Sequence, residues 1–264
     1  MKPSHILSSV AVAGLFFLSG ATGLVFEILW ARMLGPWIGA GPATNALVIG
    51  AFMGGLAAGG LLAGRVRGKP LAAYGCAEVG VGLWGLATPS VMSALGPLFS
   101  GAFGLGETHA AACLALKGVA TALLVVPPTI LMGASFPLLA RHARAGAAWL
   151  YAMNTAGAVL GSLFGGLILL PAIGASSTRI AASVLDIVIG FLALSLAMAI
   201  EPGSGQEEAQ RNDGEAVGWQ LLATIALWGA ATMAGELACE RTLALALGSS
   251  VYSLTFVVAA FIAG

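Results

Sequence analysis

Long apolar stretches, repeated along almost the whole chain, constrain its fold more than any other feature. Crossing about 30 Å of hydrocarbon as a helix takes roughly 20 mostly apolar residues. Such stretches cover residues 7–34, 43–66, 71–98, 110–140, 147–171, 176–200 and 218–247, and an eighth begins near Val251. Helices and closed barrels satisfy their backbone hydrogen bonds inside lipid, and these lengths fit helices. The sequence therefore predicts an all-α polytopic membrane protein whose main partner is the lipid bilayer.

The composition excludes an ordinary soluble domain. Hydrophobic residues make up 59% of the chain and charged residues 8%, against about 45–50% and about 25% in typical globular proteins. Eleven basic residues balance eleven acidic ones, so we expect no nucleic-acid partner. Cys76, Cys113 and Cys239 lie in apolar runs without metal or disulfide spacing. They are expected to be small buried side chains, and no metal or cofactor is expected.

Both ends of the sequence need interpretation. Lys2 and the apolar run after it resemble a secretory signal. The run continues past Gly23, however, and its pattern recurs later in the chain, so we predict a retained first helix. At the other end, residues 251–264 would rise only about 21 Å as a helix, too little to cross a bilayer. The sequence thus predicts a fragment from which further helices after Gly264 are missing.

The distribution of Lys and Arg predicts the orientation in the membrane. With the N-terminus in the cytoplasm, seven basic residues are cytoplasmic: Lys2, Arg65, Arg67, Lys69, Arg141, Arg144 and Arg211. Arg32, Arg179 and Arg241 would then lie near helix ends on the other side of the cell's inner (plasma) membrane. This orientation requires residues 110–140 to form one kinked helix despite Pro127 and Pro128. Two helices there would invert the membrane orientation of every helix that follows.

An internal repeat divides the chain. Residues 18–55 and 227–264, compared at an offset of 209, are identical at eleven of 38 positions, and Glu27 matches Glu236 while Arg32 matches Arg241. Residues 201–217, with five acids and one Arg, are typical of a flexible linker. We therefore predict a six-helix half over 1–200, a cytoplasmic linker over 201–217, and the start of a second, parallel half over 218–264. Major facilitator transporters have this arrangement.

Ionisable side chains inside membrane helices are costly and commonly functional. The candidates for a polar cavity or an ion pair are Glu27, Lys117, Asp186, Glu236 and Glu240. Counting the helical rise places the first four in one outer layer, roughly 10 Å deep. A second set of polar candidates falls in the inner half: Tyr74, Glu78, Tyr151 and Asn154. Arg32 and Arg241 are expected at helix ends, with their side chains reaching the interface.

Two interpretations of the carboxylates remain open. In one, Glu27 and Glu236 face each other across a cavity between the halves and bind a proton or a cation, because two close carboxylates disfavour joint ionisation. In the other, Glu27 pairs with Lys117. The series Gly157, Gly161 and Gly165 predicts close helix packing in either case.

Several runs also resemble a known family: LVFEILWARMLG, GGLLAGRVRGKP, YGCAEVGVGLWGL, PPTILMGASFPLLARHAR, YAMNTAGAVLGSLFGGLILLPAIG and LDIVIGFLAL. In this order they resemble the transmembrane portion of fused major facilitator/spermidine synthase-like proteins. Glu27, Trp30 and Arg32, together with the block Tyr151–Ala158, are the most distinctive parts. The loop Gly60–Lys69 departs from the major facilitator pattern, with Gly64 where Asp is usual.

The resemblance implies a transporter-like membrane domain that moves a small cationic solute such as a polyamine. In that family the helices commonly precede a soluble domain like the aminopropyltransferases that make spermidine. The alternative is therefore a membrane anchor for such an enzyme, without transport, and a purely structural membrane subunit is a third possibility. Residues 1–264 lack a Gly-rich motif for an adenosyl cofactor, so we expect no catalytic residues in them.

Overall fold

A computed structural model describes residues 3–39, 42–105, 109–142, 146–199, 218–247 and 251–264. Its helices are α1 (Pro3–Ile38), α2 (Pro42–Ala63), α3 (Pro70–Leu105), α4 (Ala110–His142), α5 (Ala147–Phe164), α6 (Leu170–Ala199), α7 (Trp219–Leu247) and α8 (Val251–Ala263). The described ranges contain no strand, so the all-α prediction is confirmed for them. The predicted linker over 201–217 lies outside these ranges.

Six continuous helical stretches in the described part of the chain are long and apolar enough to cross a membrane. One of them, Ala147–Ala199, has 53 residues and would measure about 80 Å as a single straight helix. It contains two helices, because Gly174 interrupts it with φ 76° and ψ 168°, outside the helical region. The chain therefore has the helix number and composition of a multi-pass membrane protein.

The two consecutive prolines lie inside one helix. α4 continues through Pro127, Pro128 and Pro137, even though each proline removes a backbone donor from the helix. The neighbouring helices α2 and α3 pack along α4 over this stretch, which is how membrane bundles tolerate such interruptions. The prediction of a single helix over 110–140 is therefore confirmed.

α1, α3 and α5 run in one direction and α2, α4 and α6 in the other, as the order of their close contacts shows. Contacts that advance in the same order are Phe17 to Gly157, Ala21 to Gly161, Ser19 to Glu78, Phe26 to Gly85, Gly55 to Thr129 and Gly59 to Ile130. Contacts that advance in opposite order are Gly75 to Gly190, Gly82 to Ser183, Gly80 to Leu131 and Trp84 to Leu124. We call the face where α1, α3 and α5 begin the proximal face, and the opposite one the distal face.

The main helix contacts form a regular pattern. α1 packs on α5 and α6, α2 on α4, and α3 on α4 and α6. The same set of helix contacts results when α1 is exchanged with α4, α2 with α5 and α3 with α6. Because α1 and α4 run in opposite directions, the two three-helix units are related by an inverted repeat.

Glycines allow the closest of these approaches. Gly157 and Gly161 on α5 face the backbone of Phe17 and Ala21 on α1, where a Cβ would collide with main-chain atoms. Gly59 on α2 is in the same position against α4. Small residues of this kind let membrane helices approach until their backbones touch. Backbone contacts at these glycines therefore hold α5 against α1 and α2 against α4.

α7 (Trp219–Leu247) and α8 (Val251–Ala263) cover the residues that the predicted repeat pairs with α1 and α2. α8 packs on α5, with Thr255 against Gly166, while α7 contacts α8 and the start of α2. Most of the α7 side chains are exposed.

The prediction that the cysteines are buried is wrong. Cys76 and Cys239 are exposed and Cys113 is half-buried. Helical periodicity accounts for this, because an apolar residue of a membrane helix can face either lipid or protein at no cost in hydrophobicity. Apolar neighbours in the sequence therefore do not show whether a cysteine faces lipid or the protein interior.

Candidate functional site

The buried carboxylates of the described helices form two groups at different heights. Glu78 on α3 and Asp186 on α6 lie inside the six-helix bundle, and we call them the bundle pair. Glu27 on α1, Asn45 on α2, and Glu236 and Glu240 on α7 lie where the bundle meets α7, and we call them the junction cluster. Along α1 the two sites are separated by the five residues from Thr22 to Glu27, about 7.5 Å.

Hydroxyl groups from two other helices hold the bundle pair. Ser19 on α1 donates to Oε1 of Glu78 at 2.8 Å, and Ser135 on α4 donates to the same oxygen at 3.2 Å. Thr22, also on α1, donates to Oδ1 of Asp186 at 2.5 Å. Residues three apart on a helix have Cβ atoms about 5–6 Å apart. Ser19 and Thr22 therefore hold the two carboxyl groups at neighbouring positions on one face of α1.

Tyr74 closes the proximal side of the bundle pair. It lies one turn before Glu78 on α3, is fully buried, and meets the ring of Phe16 edge-on at 6.3 Å between centroids. It interacts electrostatically with both Glu78 and Asp186. Apolar side chains of α1, α4 and α5 surround this end of the bundle, so the pair is shielded from solvent.

Arg179 lies on the distal side of the bundle pair. Its guanidinium group donates to the main-chain oxygens of Gly85 at 2.7 Å and Leu86 at 3.1 Å on α3. Arg179 is 6% exposed and lies five residues after the non-helical residue Gly174. It is therefore near a helix end, as the sequence predicts, but its side chain is buried within the bundle. This arginine ties α6 to α3 within the bundle.

The junction cluster joins the first bundle to α7. Asn45 donates its side-chain amide to Oε1 of Glu240, which is buried. Glu236 lies one turn before Glu240 on α7, is half-buried, and interacts electrostatically with both Glu240 and Glu27. Glu27 itself is 5% exposed. Three carboxyl groups from two helices thus converge on one region, with a single amide donor beside them.

Lys117 belongs to neither site. Its Nζ donates to the main-chain oxygen of Ile38 at 3.0 Å and lies 5.2 Å from the ring centre of Phe103. Ile38 is eleven residues beyond Glu27 on α1, about 16 Å along the helix. The structure therefore does not bring Lys117 and Glu27 together, and the proposed ion pair is not formed.

The single outer layer expected from the sequence is wrong for two of its members. Lys117 lies near the distal ends of α1 and α3, because both helices extend beyond their predicted limits, to Ile38 and Leu105. Asp186 lies beside Glu78, because counting from Arg179 started inside the bundle. Glu78 and Asp186, assigned to opposite halves of the membrane, form one site.

The remaining candidates lie apart from both carboxylate groups. Tyr151 is exposed near the start of α5 and meets the ring of Phe136 at 6.0 Å. Asn154 is half-buried and packs against Gly20 on α1. Arg32 and Arg241 are exposed.

Sequence inspection missed the neutral donors Ser19, Thr22, Ser135 and Asn45. Serine and threonine are common in membrane helices, where they also bond the preceding turn, so their type alone carried no signal. Among the described residues, no group of three or more His, Cys, Asp or Glu side chains is placed to hold a metal ion. The chain matches no protein-family model, no curated protein and no solved structure.

Proposed function

We propose that this chain forms the transporter-like part of a membrane protein with major-facilitator-like architecture, and that the junction cluster binds a small cationic solute such as a polyamine. The observation that carries the proposal is the convergence of Glu27, Glu236 and Glu240 at one junction. Carboxylates gathered in low-dielectric surroundings attract and concentrate cations. The polyamine is the cargo that the family resemblance implies.

Two features of the fold support a facilitator-like arrangement. The helix contacts of the first bundle are related by an inverted three-plus-three repeat, which occurs within each half of these transporters. α7 and α8 cover the residues that the sequence repeat pairs with α1 and α2, as expected for a second, parallel half. Substrate sites of such proteins lie at the interface between the repeats, and the junction cluster lies between α1 and its repeat α7.

Transport is tested by uptake of labelled spermidine into liposomes containing the purified protein. Glu27→Gln removes one charge of the cluster with little change of shape, so we expect uptake to fall about tenfold or more, as for the loss of about 1.4 kcal/mol of binding energy. Arg32→Gln on the exposed side of the same helix is the matched control and should transport normally. Absence of uptake by the folded wild-type protein would reject the proposal and favour the membrane-anchor alternative.

The proposed orientation places the N-terminus and the 201–217 linker in the cytoplasm, at the inner membrane. The basic residues near the proximal face support it: Arg65, Arg67 and Lys69 lie between α2 and α3, and Arg141 at the end of α4 bonds the main-chain oxygen of Val66 at 3.1 Å. A cysteine introduced at Ser204 should resist membrane-impermeant thiol reagents in intact cells. Its rapid labelling would reverse the orientation.

A further inference from the structure

The two buried carboxyl groups of the bundle pair need a compensating positive charge, and the proposed solute site does not supply it. Glu78 is 2% exposed and Asp186 is 0% exposed. Two neighbouring carboxylates this deeply buried cannot both stay ionised unless a positive charge accompanies them. The pair is also too deeply enclosed to belong to the junction cluster, from which the residues between Thr22 and Glu27 separate it.

The groups that face the pair do not supply that charge. From α1 it meets Ser19 and Thr22, from α4 Ser135, and from α3 Tyr74, all uncharged. On α6, Arg179 is seven residues from Asp186, about 10 Å along the helix. Its guanidinium group is directed to the main chain of α3.

One oxygen of the pair lacks the partner that a buried carboxylate requires. Oδ1 of Asp186 accepts from Thr22, whereas Oδ2 is completely buried and has no hydrogen-bond partner among the described residues. The hydroxyl of Tyr74 is also buried and lies beside the hydroxyl of Ser19, within electrostatic reach of both carboxyl groups. A buried polar atom without a partner is destabilising, so a missing donor is expected at Oδ2 of Asp186.

We propose that Glu78 and Asp186 form a proton-binding site that holds one proton between the two carboxyl groups. The proton supplies both the missing positive charge and the missing donor at Oδ2 of Asp186. A metal cation is the alternative occupant, since hard cations bind carboxylate oxygens, and the test below distinguishes it from a proton by adding sodium.

The hydroxyl group of Thr22 has other acceptors within reach besides Asp186. Its Oγ1 lies 3.0 Å from the main-chain oxygen of Ser19 and 3.3 Å from that of Leu18, in addition to its contact with Asp186. When Asp186 carries the proton, the Thr22 hydroxyl can turn to the main chain of α1. When the proton moves to Glu78, Thr22 stabilises the ionised Asp186. Proton binding therefore changes a contact between α1 and α6.

Infrared spectroscopy of the purified protein in lipid nanodiscs tests this site directly, since a protonated carboxyl group has its own carbonyl stretching band that shifts in heavy water. We expect such a band at neutral pH, and we expect both Glu78→Gln and Asp186→Asn to remove it, because the proton is shared. Thr22→Val should move the band without removing it. All spectra are compared in the Glu27→Gln background, so that the buried carboxyl group of Glu27 adds no band of its own. Arg32→Gln, at an exposed position on α1, is the matched control and should leave the band in place.

The proposal is overturned if the folded Glu27→Gln protein shows no such band, or if the band persists in both amide variants. Loss of the band on adding sodium at constant pH would also overturn it, because the site would then bind a metal cation. Circular dichroism and gel filtration establish folding. Should the amide variants fail to fold, Thr22→Val decides, because a band that does not move cannot come from Asp186. The measurement requires no transport, so it can succeed or fail independently of the proposed function.

Discussion

The bundle pair and the junction cluster contain the same kind of side chain in opposite surroundings. Glu78 and Asp186 are enclosed by four helices and receive three hydroxyl hydrogen bonds. Glu236, in the junction cluster, is half-buried on a helix that is otherwise mostly exposed, and the amide of Asn45 donates to its neighbour Glu240. This difference in burial and in hydrogen-bond donors, rather than a difference in charge, is the basis of our proposals that the first site holds a proton and the second binds a solute.

Packing differs between the two regions in the same way. Within the bundle, glycines on α5, α2 and α3 touch the backbones of neighbouring helices. On α7, a Cβ added at Gly229 would meet no atom within 4 Å. The helices of the bundle are therefore tightly packed, whereas α7 is loosely packed around Gly229.

The largest expected effect comes from adding one methyl group to the bundle. Gly161→Ala would drive its Cβ into the backbone of Ala21, and overpacking of this kind costs about 1–3 kcal/mol. The matched variant Gly229→Ala on α7 should stay within about 0.5 kcal/mol of wild type. Thermal unfolding in detergent measures both. Equal losses in the two variants would remove the contrast between a closed bundle and an open α7.

A smaller effect is expected at the arginine that ties α3 to α6. Arg179→Gln removes hydrogen bonds from a charged donor to the oxygens of Gly85 and Leu86, a loss of about 2 kcal/mol in unfolding free energy. Arg32→Gln, at an exposed position, should change stability by less than about 0.5 kcal/mol. If both variants unfold at the wild-type temperature, Arg179 does not stabilise the bundle.

The smallest expected effect is a coupling near zero. Because Lys117 bonds Ile38 and lies about 16 Å from Glu27 along α1, the changes Glu27→Gln and Lys117→Met should be additive within about 0.5 kcal/mol. Unfolding of the two single variants and the double variant measures this coupling. A large loss in each single variant that the double variant restores would establish the ion pair and remove Glu27 from the junction cluster.

The sequence predicted the helices well, because their signal is local. Long apolar runs and the density of charges set the limits of most helices to within a few residues, although α3 extends seven residues past its predicted end. The break in the helical stretch Ala147–Ala199, at Gly174, lies inside the gap predicted between 171 and 176. The continuity of α4 through Pro127 followed from the charge distribution.

The sites were predicted less well, because they depend on which helices touch and at what height. Nothing local indicates that α3 packs on α6, so Glu78 and Asp186 were assigned to different halves of the membrane. The depth of Lys117 was wrong because α1 and α3 extend past their apolar runs. Glu27 and Glu236 were connected by the repeat, which carries long-range information that hydrophobic periodicity does not.

Spermidine binding to two matched variants tests the division of roles most directly. Isothermal titration of the purified protein in nanodiscs would compare Glu27→Gln in the junction cluster with Glu78→Gln in the bundle pair, each removing one carboxylate. We predict that Glu27→Gln weakens binding about tenfold or more, about 1.4 kcal/mol, and that Glu78→Gln leaves the affinity unchanged. Loss of binding in Glu78→Gln, with Glu27→Gln unaffected and both variants folded, would contradict the account.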